Sequence, residues 1–178
     1  MRQRQLEKGL LKIMQTQPYE DISISDLCDQ MDIPRKSFYR YFSNKDGALF
    51  ALIDHTLMEF EQAHPAFDTT YESRAVYDLE KFFLFWYRQK DLLDVLLRNR
   101  LSGLLVERAT NHAIHEHLVP GYLMGKDESS QHLALTFAVC GLLSMVMQWH
   151  QNGFLDTPEQ MTSVATLMLT KPLISGMK

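Results

Sequence analysis

The chain has 178 residues, 46% of them hydrophobic and 22% charged, with a formal net charge of −4. This composition excludes an intrinsically disordered or collagen-like chain, and the length allows one domain or two small ones with a real core. Because the total charge is negative, any nucleic-acid-binding surface must be local. Cys28 and Cys140 are too few for a disulfide framework or a four-cysteine zinc site, and with no apolar signal segment in the first eight residues they indicate a cytoplasmic protein.

The first two predicted helices follow from apolar spacing and from a cap. One face of the first helix, which ends before Pro18, is formed by Leu6, Leu10, Ile13 and Met14. The second helix begins after Ser23, whose hydroxyl can accept from the backbone N–H of Asp26 while the Asp26 carboxylate bonds back in a capping box. Its buried stripe is formed by Ile24, Leu27, Cys28 and Met31.

A third and a fourth helix follow closely. Pro34 cannot continue a helix but favours the start of one, so we expect the third helix over residues 35–42. Ser43 with Asp46 repeats the capping-box pattern and predicts the start of a fourth helix, which should end at Pro65.

The rest of the chain predicts five more helices, at about 71–89, 92–97, 102–118, 130–151 and from 158 to Pro172. Residues 133–149 carry no charge and are at the short limit for a membrane span, so we interpret them as a buried helix of a soluble protein. Gly153 after Asn152 should form its left-handed end, and Thr157 with Gln160 should cap the last helix. No segment alternates as a strand does, which predicts an all-α fold of about nine helices.

The segment 33–45 is strongly basic and contains no acidic residue. Its four cations are Arg35, Lys36, Arg40 and Lys45. On a helical wheel Phe38 and Phe42 point toward the core, and Lys36, Ser37 and Arg40 point away from it. Such a helix fits the major groove of DNA, where Arg and Lys bind guanine edges, so we predict a helix-turn-helix. The alternative is a solvated surface, which a charge run alone usually is.

Residues 23–28 and 33–46 closely resemble the DNA-binding signature of TetR/AcrR-type transcriptional regulators, and the resemblance covers about residues 4–53. It implies an all-helical homodimer with a helix-turn-helix DNA-binding domain at 1–47 and a helical effector-binding and dimerisation domain at 48–178. The implied base contacts come from Ser25, Arg35, Lys36 and Ser37. The implied phosphate contacts come from Tyr39, Tyr41 and Lys45, and the helical wheel adds Arg40 to the DNA-binding set.

Two residues at the turn depart from the family pattern, which has a small residue followed by glycine. This chain has Met31 and Asp32 there. Aspartate tolerates a left-handed conformation better than most residues, so we expect the turn to form. We expect Met31 to pack and to alter the angle between the two helices.

The long apolar helix and the last helix resemble the pair that forms a four-helix bundle between two copies in these regulators. A helix that is apolar all round needs two partners, its own domain and something else. The expected dimer-interface residues are Gly141, Ser144, Met161, Val164 and Met168. The alternative is a central core helix in a monomer.

An aromatic cluster in the C-terminal part has two interpretations, a plain core or the wall of a pocket for a small apolar or aromatic effector. The candidate lining residues are Phe83, Trp86, Tyr87, Met145 and Trp149. A histidine group, His112, His115 and His117, does not converge on one side of a helix, so we expect no metal site. No catalytic motif or cofactor motif appears, and we expect neither an enzyme nor a cofactor.

Taken together, these patterns predict a dimeric transcriptional regulator that binds a palindromic operator in double-stranded DNA, with no role at a membrane. We expect a repressor that a small-molecule effector releases from DNA. The alternative is a regulator-fold adaptor or coactivator that acts through protein contacts and has lost DNA binding, which Met31 and Asp32 leave open.

Overall fold

The computed structural model describes residues 2–63, 72–116 and 127–170. Within these ranges it contains nine α-helices and no strand. The helices are α1 (Arg2–Met14), α2 (Ile24–Gln30), α3 (Arg35–Tyr39), α4 (Lys45–Ala63), α5 (Glu72–Arg88), α6 (Lys90–Arg98), α7 (Ser102–His115), α8 (Glu128–Gln151) and α9 (Pro158–Thr170). The predicted all-α class and helix number are therefore confirmed. The stop signals Pro65 and Pro172, and His117 of the histidine group, lie outside the described residues.

Contacts divide the chain into two compact units, Met1–Glu59 with Asp91–Ala109, and Phe60–Lys90 with Thr110–Lys178. The first unit contains α1 to α3, and the second contains α5, α8 and α9. Helices α4 and α7 supply residues to both, and α6 lies in the first unit except for Lys90. The functional division at residue 47 stays a prediction.

The first unit has an aliphatic core. Its fully buried side chains include Leu10, Met14, Leu27, Leu49, Ile53, Leu92, Leu93 and Leu96. The predicted apolar faces of α1 and α2 supply the first three of these residues, α4 supplies Leu49 and Ile53, and α6 supplies the other three. A 3-10 turn at Tyr19–Asp21, which the sequence analysis did not predict, connects α1 to α2. In the second unit α5 packs against α9, and the buried side chains are larger, with Phe83, Trp86 and Trp149 fully enclosed.

Three helix starts were predicted from caps, and two are confirmed. The Ser23 hydroxyl accepts from Asp26 N–H at 3.1 Å and Ser23 N–H donates to the Asp26 carboxylate at 3.2 Å. Thr157 and Gln160 form the same reciprocal pair at α9. The predicted cap of α4 is wrong, because the helix begins one residue later.

Asn44, and not Ser43, caps α4, since the Asn44 side-chain oxygen accepts from Gly47 N–H at 2.8 Å. Asp46 therefore stands at the second helical position instead of the third, and its carboxylate bonds elsewhere. The third helix is also shorter than the predicted 35–42, because residues after Tyr39 form a turn in which Phe42 N–H donates to the Phe38 carbonyl at 3.1 Å.

Three helices end in the same way, with a left-handed residue one position beyond the cap. These residues are Asp32 after α2 (φ 51°), Arg100 after α6 (φ 57°) and Gly153 after α8 (φ 70°). In each case the next N–H donates back to a carbonyl five residues earlier, as Ile33 does to Cys28 at 3.0 Å, which defines a Schellman motif. The left-handed Asp32 and Gly153 were both predicted and are confirmed.

Candidate nucleic-acid interface

Helix α3 is held by two phenylalanines on its inner side. Phe38 is fully buried and Phe42 is nearly so, and their ring centroids lie 5.6 Å apart. The predicted inward direction of both rings is confirmed. Because α3 has only five residues and no side-chain cap of its own, these rings are its main attachment to the first unit.

The opposite side of α3 carries exposed cations and hydroxyl groups. Arg35, Lys36 and Arg40 are exposed, and within the described residues none of them forms an ion pair with a carboxylate. Tyr39 is 55% exposed. The Arg40 guanidinium donates to the Tyr41 hydroxyl at 3.3 Å and lies 5.4 Å from the centre of that ring. The structure thus brings these five predicted DNA-binding residues together on α3 and the turn after it.

The two predicted serines are half-buried. Ser37 lies in α3, and Ser25 is the second residue of α2. Helix α2 is anchored by its cap, since the hydrogen bond from the Ser23 side chain, followed by that from the Ser23 backbone, lowers the pKa of Asp26. The roles of Ser25 and Ser37 in binding bases stay predictions.

Lys45 differs from the other predicted cations because its ammonium group is already bound. Its Nζ donates to the carbonyls of Tyr19 at 2.5 Å, Ile22 at 2.8 Å and Glu20 at 3.3 Å. It also lies 4.3 Å from the centre of the Tyr19 ring. A lysine ammonium has three N–H groups, so all its donors are engaged with the loop that leads into α2. Contact of this ammonium with a phosphate stays a prediction and requires one of these bonds to break.

Tyr19 completes a network that the sequence analysis missed. Its hydroxyl donates to the Asp46 carboxylate at 2.5 Å, and its backbone N–H donates to Asn99 Oδ1 at 2.6 Å. Burial, followed by the hydrogen bond and the negative charge of Asp46, raises the pKa of Tyr19 far above its ordinary value. The network fixes the 3-10 turn between the start of α4 and the end of α6. Tyr19 is 27 residues from Asp46 and 80 residues from Asn99, so no local spacing signals these contacts.

Residues 8–52, which span the whole of this site, match the family model described as bacterial regulatory proteins, tetR family. This match covers the DNA-binding region of the chain, which is therefore similar to that of tetR-family transcriptional regulators. The resemblance to TetR/AcrR-type regulators, including the helix-turn-helix DNA-binding domain, is confirmed.

Solved structures similar to this regulator share its fold at low identity. One is the dihydroxyacetone kinase operon activator DhaS, at 16% identity and a TM-score of 0.58, covering 94% of this chain and 93% of that one. Another is the TetR family repressor AlkX from Dietzia sp. strain DQ12-45-1b, at 18% identity and a TM-score of 0.55, covering 90% of this chain and 89% of that one. A third is a TetR/AcrR family regulator from Thermobifida fusca YX-ER1, at 17% identity and a TM-score of 0.51, covering 99% of this chain and 98% of that one. No curated protein matches the chain.

The aromatic cluster of the regulator's second unit is packed ring on ring. Phe83 contacts Trp149 edge to face at 6.0 Å, and Tyr87 stacks on Trp149 at 5.7 Å. The indole N–H of Trp149 donates to the Asp156 carbonyl at 2.9 Å. Of the five predicted lining residues, Phe83, Trp86 and Trp149 are buried, Met145 is half-buried and Tyr87 is exposed. Their role toward an effector stays a prediction.

A surface depression of about 180 Å³ lies in the first unit instead, away from this cluster. It is lined by Met14, Thr16, Gln17, Pro18, Arg98 and Asn99. Among the described residues no three histidine, cysteine or acidic side chains are grouped as a metal site would need. His112 Nε2 lies 3.3 Å from the Glu61 carboxylate, and the two form an ion pair when the imidazole is protonated.

Helices α8 and α9 expose apolar side chains. Leu133 and Phe137 of α8 are 69% and 65% exposed, so the single chain does not enclose this helix on all sides, and the second partner expected for it stays a prediction. On α9 the exposed residues are Val164, Leu167, Met168 and Leu169. Within the described ranges α8 is the one helix long and apolar enough to cross a membrane by length and composition.

The five predicted dimer residues separate into two groups. Gly141, Ser144, Val164 and Met168 are exposed, whereas Met161 is buried within its own unit. A Cβ built on Gly141 would meet nothing within 4 Å, so another helix has room to approach closely there. Leu133 and Phe137, which lie on the same face by their spacing of four residues, were missed because the sequence alone does not tell which side of an apolar helix is open.

Proposed function

We propose that this regulator binds a palindromic operator in double-stranded DNA as a homodimer and represses transcription until a small apolar or aromatic effector releases it. The proposed base contacts come from Ser25, Arg35, Lys36 and Ser37. The proposed phosphate contacts come from Tyr39, Tyr41 and Lys45, and Arg40 belongs to the same DNA-binding face as Lys36 and Ser37. The proposal includes a cytoplasmic location and no cofactor, metal or catalytic activity.

The observation that carries the proposal is the exposed face of α3. Among the described residues, no carboxylate pairs with Arg35, Lys36 or Arg40, although the chain as a whole is negative. Two buried phenylalanines on the other side of the helix keep this face outward. Guanidinium and ammonium groups bind phosphates by releasing counterions and bind guanine edges by hydrogen bonds. Such a helix is therefore suited to the major groove.

Dimerisation is supported by the exposed side chains of α8 and α9. Leu133, Phe137 and the four exposed apolar residues of α9 are of the kind found in the apolar centre of a lasting interface. Two copies would place two reading helices about 34 Å apart, on successive turns of the major groove, and would read a palindrome. The symmetric contact would therefore supply the reading helix for the second half-site.

Release by an effector is supported by the aromatic cluster. An apolar ligand would insert beside Met145 and Tyr87, the two members not enclosed, and would have to separate rings that now touch. Ligand binding would then favour a conformation whose two reading helices no longer match the half-sites. Among the similar structures one is titled an activator and one a repressor. We propose repression because it requires only occupancy of the operator.

The test is a selection of bound sequences from a random duplex library, followed by affinity measurements across a salt series. We expect an enriched palindrome, and Lys36→Ala with Arg40→Ala should abolish the sequence preference. Arg88→Ala with Lys90→Ala, which removes two exposed cations from elsewhere in the chain, is the charge-matched control and should keep the preference. If the wild type enriches no palindrome, the proposal fails and the adaptor function gains support. Reporter expression from the selected site determines whether the regulator represses.

A further inference from the structure

Met31, the large residue at the family's small-residue position, is seated on a glycine of α1. Met31 is the C-cap residue of α2, and its side chain lies against Gly9. A Cβ built on Gly9 would lie 2.7 Å from Met31 Cε and 3.1 Å from Met31 Cγ, and closer still to Sδ. Real Cβ contacts below 3.0 Å essentially never occur. The absence of a side chain at residue 9 is therefore what makes room for Met31.

The backbone between Met31 and α3 leaves little freedom to absorb a displacement. Asp32 is left-handed, and its N–H donates to the Asp29 carbonyl at 3.2 Å while Ile33 N–H donates to the Cys28 carbonyl at 3.0 Å. Pro34 then fixes its own φ at −63° and forms the N-cap of α3. Three constrained residues thus separate Met31 from Arg35. Met31 Sδ and Cε are the flexible end of the side chain and can shift at little cost, whereas Cγ moves only with rotation about χ1 or with the backbone. A shift of the Met31 backbone would be passed on to the exposed cations.

We propose that Gly9 is a positioning residue for DNA recognition. The Met31 side chain packs on the Gly9 backbone, and this contact sets the placement of α3. The chain lacks the family's usual small residue and glycine at this turn. The inference rests on the proposed DNA binding, because it assigns a determinant of how the same helix meets its operator. The two residues are complementary in size, because Gly9 is smaller than alanine and Met31 is larger.

The test uses Gly9→Ala, Met31→Ala and the double variant, with Gly103→Ala as the matched control. Gly103 is also a helical glycine of the first unit, but a Cβ there would meet nothing within 4 Å. Alanine is a better helix former than glycine, so without a clash both single glycine variants should melt at a higher temperature. We expect only Gly103→Ala to do so. Gly9→Ala should shift the amide NMR signals of residues 33–41 in the free protein.

Operator affinity supplies the functional measurement. Gly9→Ala should weaken binding of the selected palindrome by about tenfold, comparable to the loss of one good base contact. Adding Met31→Ala should restore affinity and return the amide signals, because the clash then has no second partner. A Gly9→Ala variant with wild-type amide signals, wild-type affinity and a raised melting temperature overturns the proposal, and so does a double variant that is not restored. If the wild type itself binds no duplex, the proposed function fails, and the amide signals alone then decide whether Gly9 places α3.

Discussion

The exposed face of α3 and the exposed face of α8 and α9 are both left uncovered by the described part of the single chain, and the physical consequences are opposite. The first consists of cations and hydroxyl groups, which water solvates well. It is therefore stable when exposed, and its cations can bind an anionic ligand. The second consists of Leu, Phe, Val and Met side chains, whose exposure to water is unfavourable at about 25 cal/mol per Å². The cationic face needs no protein partner to be stable in water, whereas the apolar face gains free energy when a second surface covers it.

The largest effect on assembly and on operator affinity is expected from a substitution that makes the apolar face of α8 charged, like the face of α3. Phe137→Glu would place a charge from each copy into the apolar face, and burying such charges without partners is strongly unfavourable. We expect the dimer to dissociate and operator affinity to fall by about 100-fold or more, because half-site binding loses the second set of contacts. Sedimentation velocity and operator titration measure both effects.

The control for this variant is Leu155→Glu, which changes the most exposed of the large apolar side chains, 85% exposed and outside both helices. It should leave the dimer and the affinity unchanged. A Phe137→Glu protein that stays dimeric would assign the apolar face to another partner.

The next effect concerns the one cation of the basic segment that is already bound. Lys45→Met removes three hydrogen bonds to carbonyls and the contact with the Tyr19 ring. We expect a loss of about 2 kcal/mol in the free energy of unfolding, discounted because Lys45 is half-exposed. Urea denaturation measures it, and Lys12→Met, at an exposed lysine of α1, is the control. Weaker operator binding at unchanged stability would show that the three hydrogen bonds add nothing to stability and that Lys45 acts through its proposed phosphate contact alone.

A pair of mirror-image substitutions compares the end of α2 with the end of α8. Asp32→Gly relieves a left-handed non-glycine residue and should raise stability by about 1 kcal/mol. It also removes a negative charge beside α3, so operator binding should strengthen. Gly153→Ala makes the opposite change in a site with no atom within 4 Å of the new Cβ and should lower stability by about 1 kcal/mol. Thermal melting of the two variants should move in opposite directions.

The smallest expected effect is the pH dependence of the α2 cap. Because the folded-state pKa of Asp26 is lowered by Ser23, the cap contributes stability above the unfolded pKa of about 3.9 and loses it as pH falls through the folded value. Ser23→Ala should raise the Asp26 pKa toward its ordinary value, as followed by carboxyl NMR titration. An unshifted titration would show that the hydrogen bond between these side chains is absent in solution.

Where the sequence analysis succeeded, the signal was local. The capping box of Ser23 and Asp26, the left-handed Asp32 and the inward Phe38 each depend on residues a few positions apart, which share a helix face or a turn. The cap of α4 failed for a reason equally local, since Ser43 and Asn44 are both good caps and Asp46 is drawn away by Tyr19. Lys45 was placed on the basic segment correctly, but its partners come from residues 19–22, which helical spacing does not connect with it.

The sequence by itself determined that the chain is helical, where α2 and α3 lie, and that a basic helix is presented on two phenylalanines, because periodicity and capping are properties of neighbouring residues. Only the tertiary structure decided that Lys45 holds a loop, that Met31 sits on Gly9 and that one side of α8 is left open. Those facts depend on which distant surfaces meet, and the free energy that decides it belongs to the packed chain as a whole.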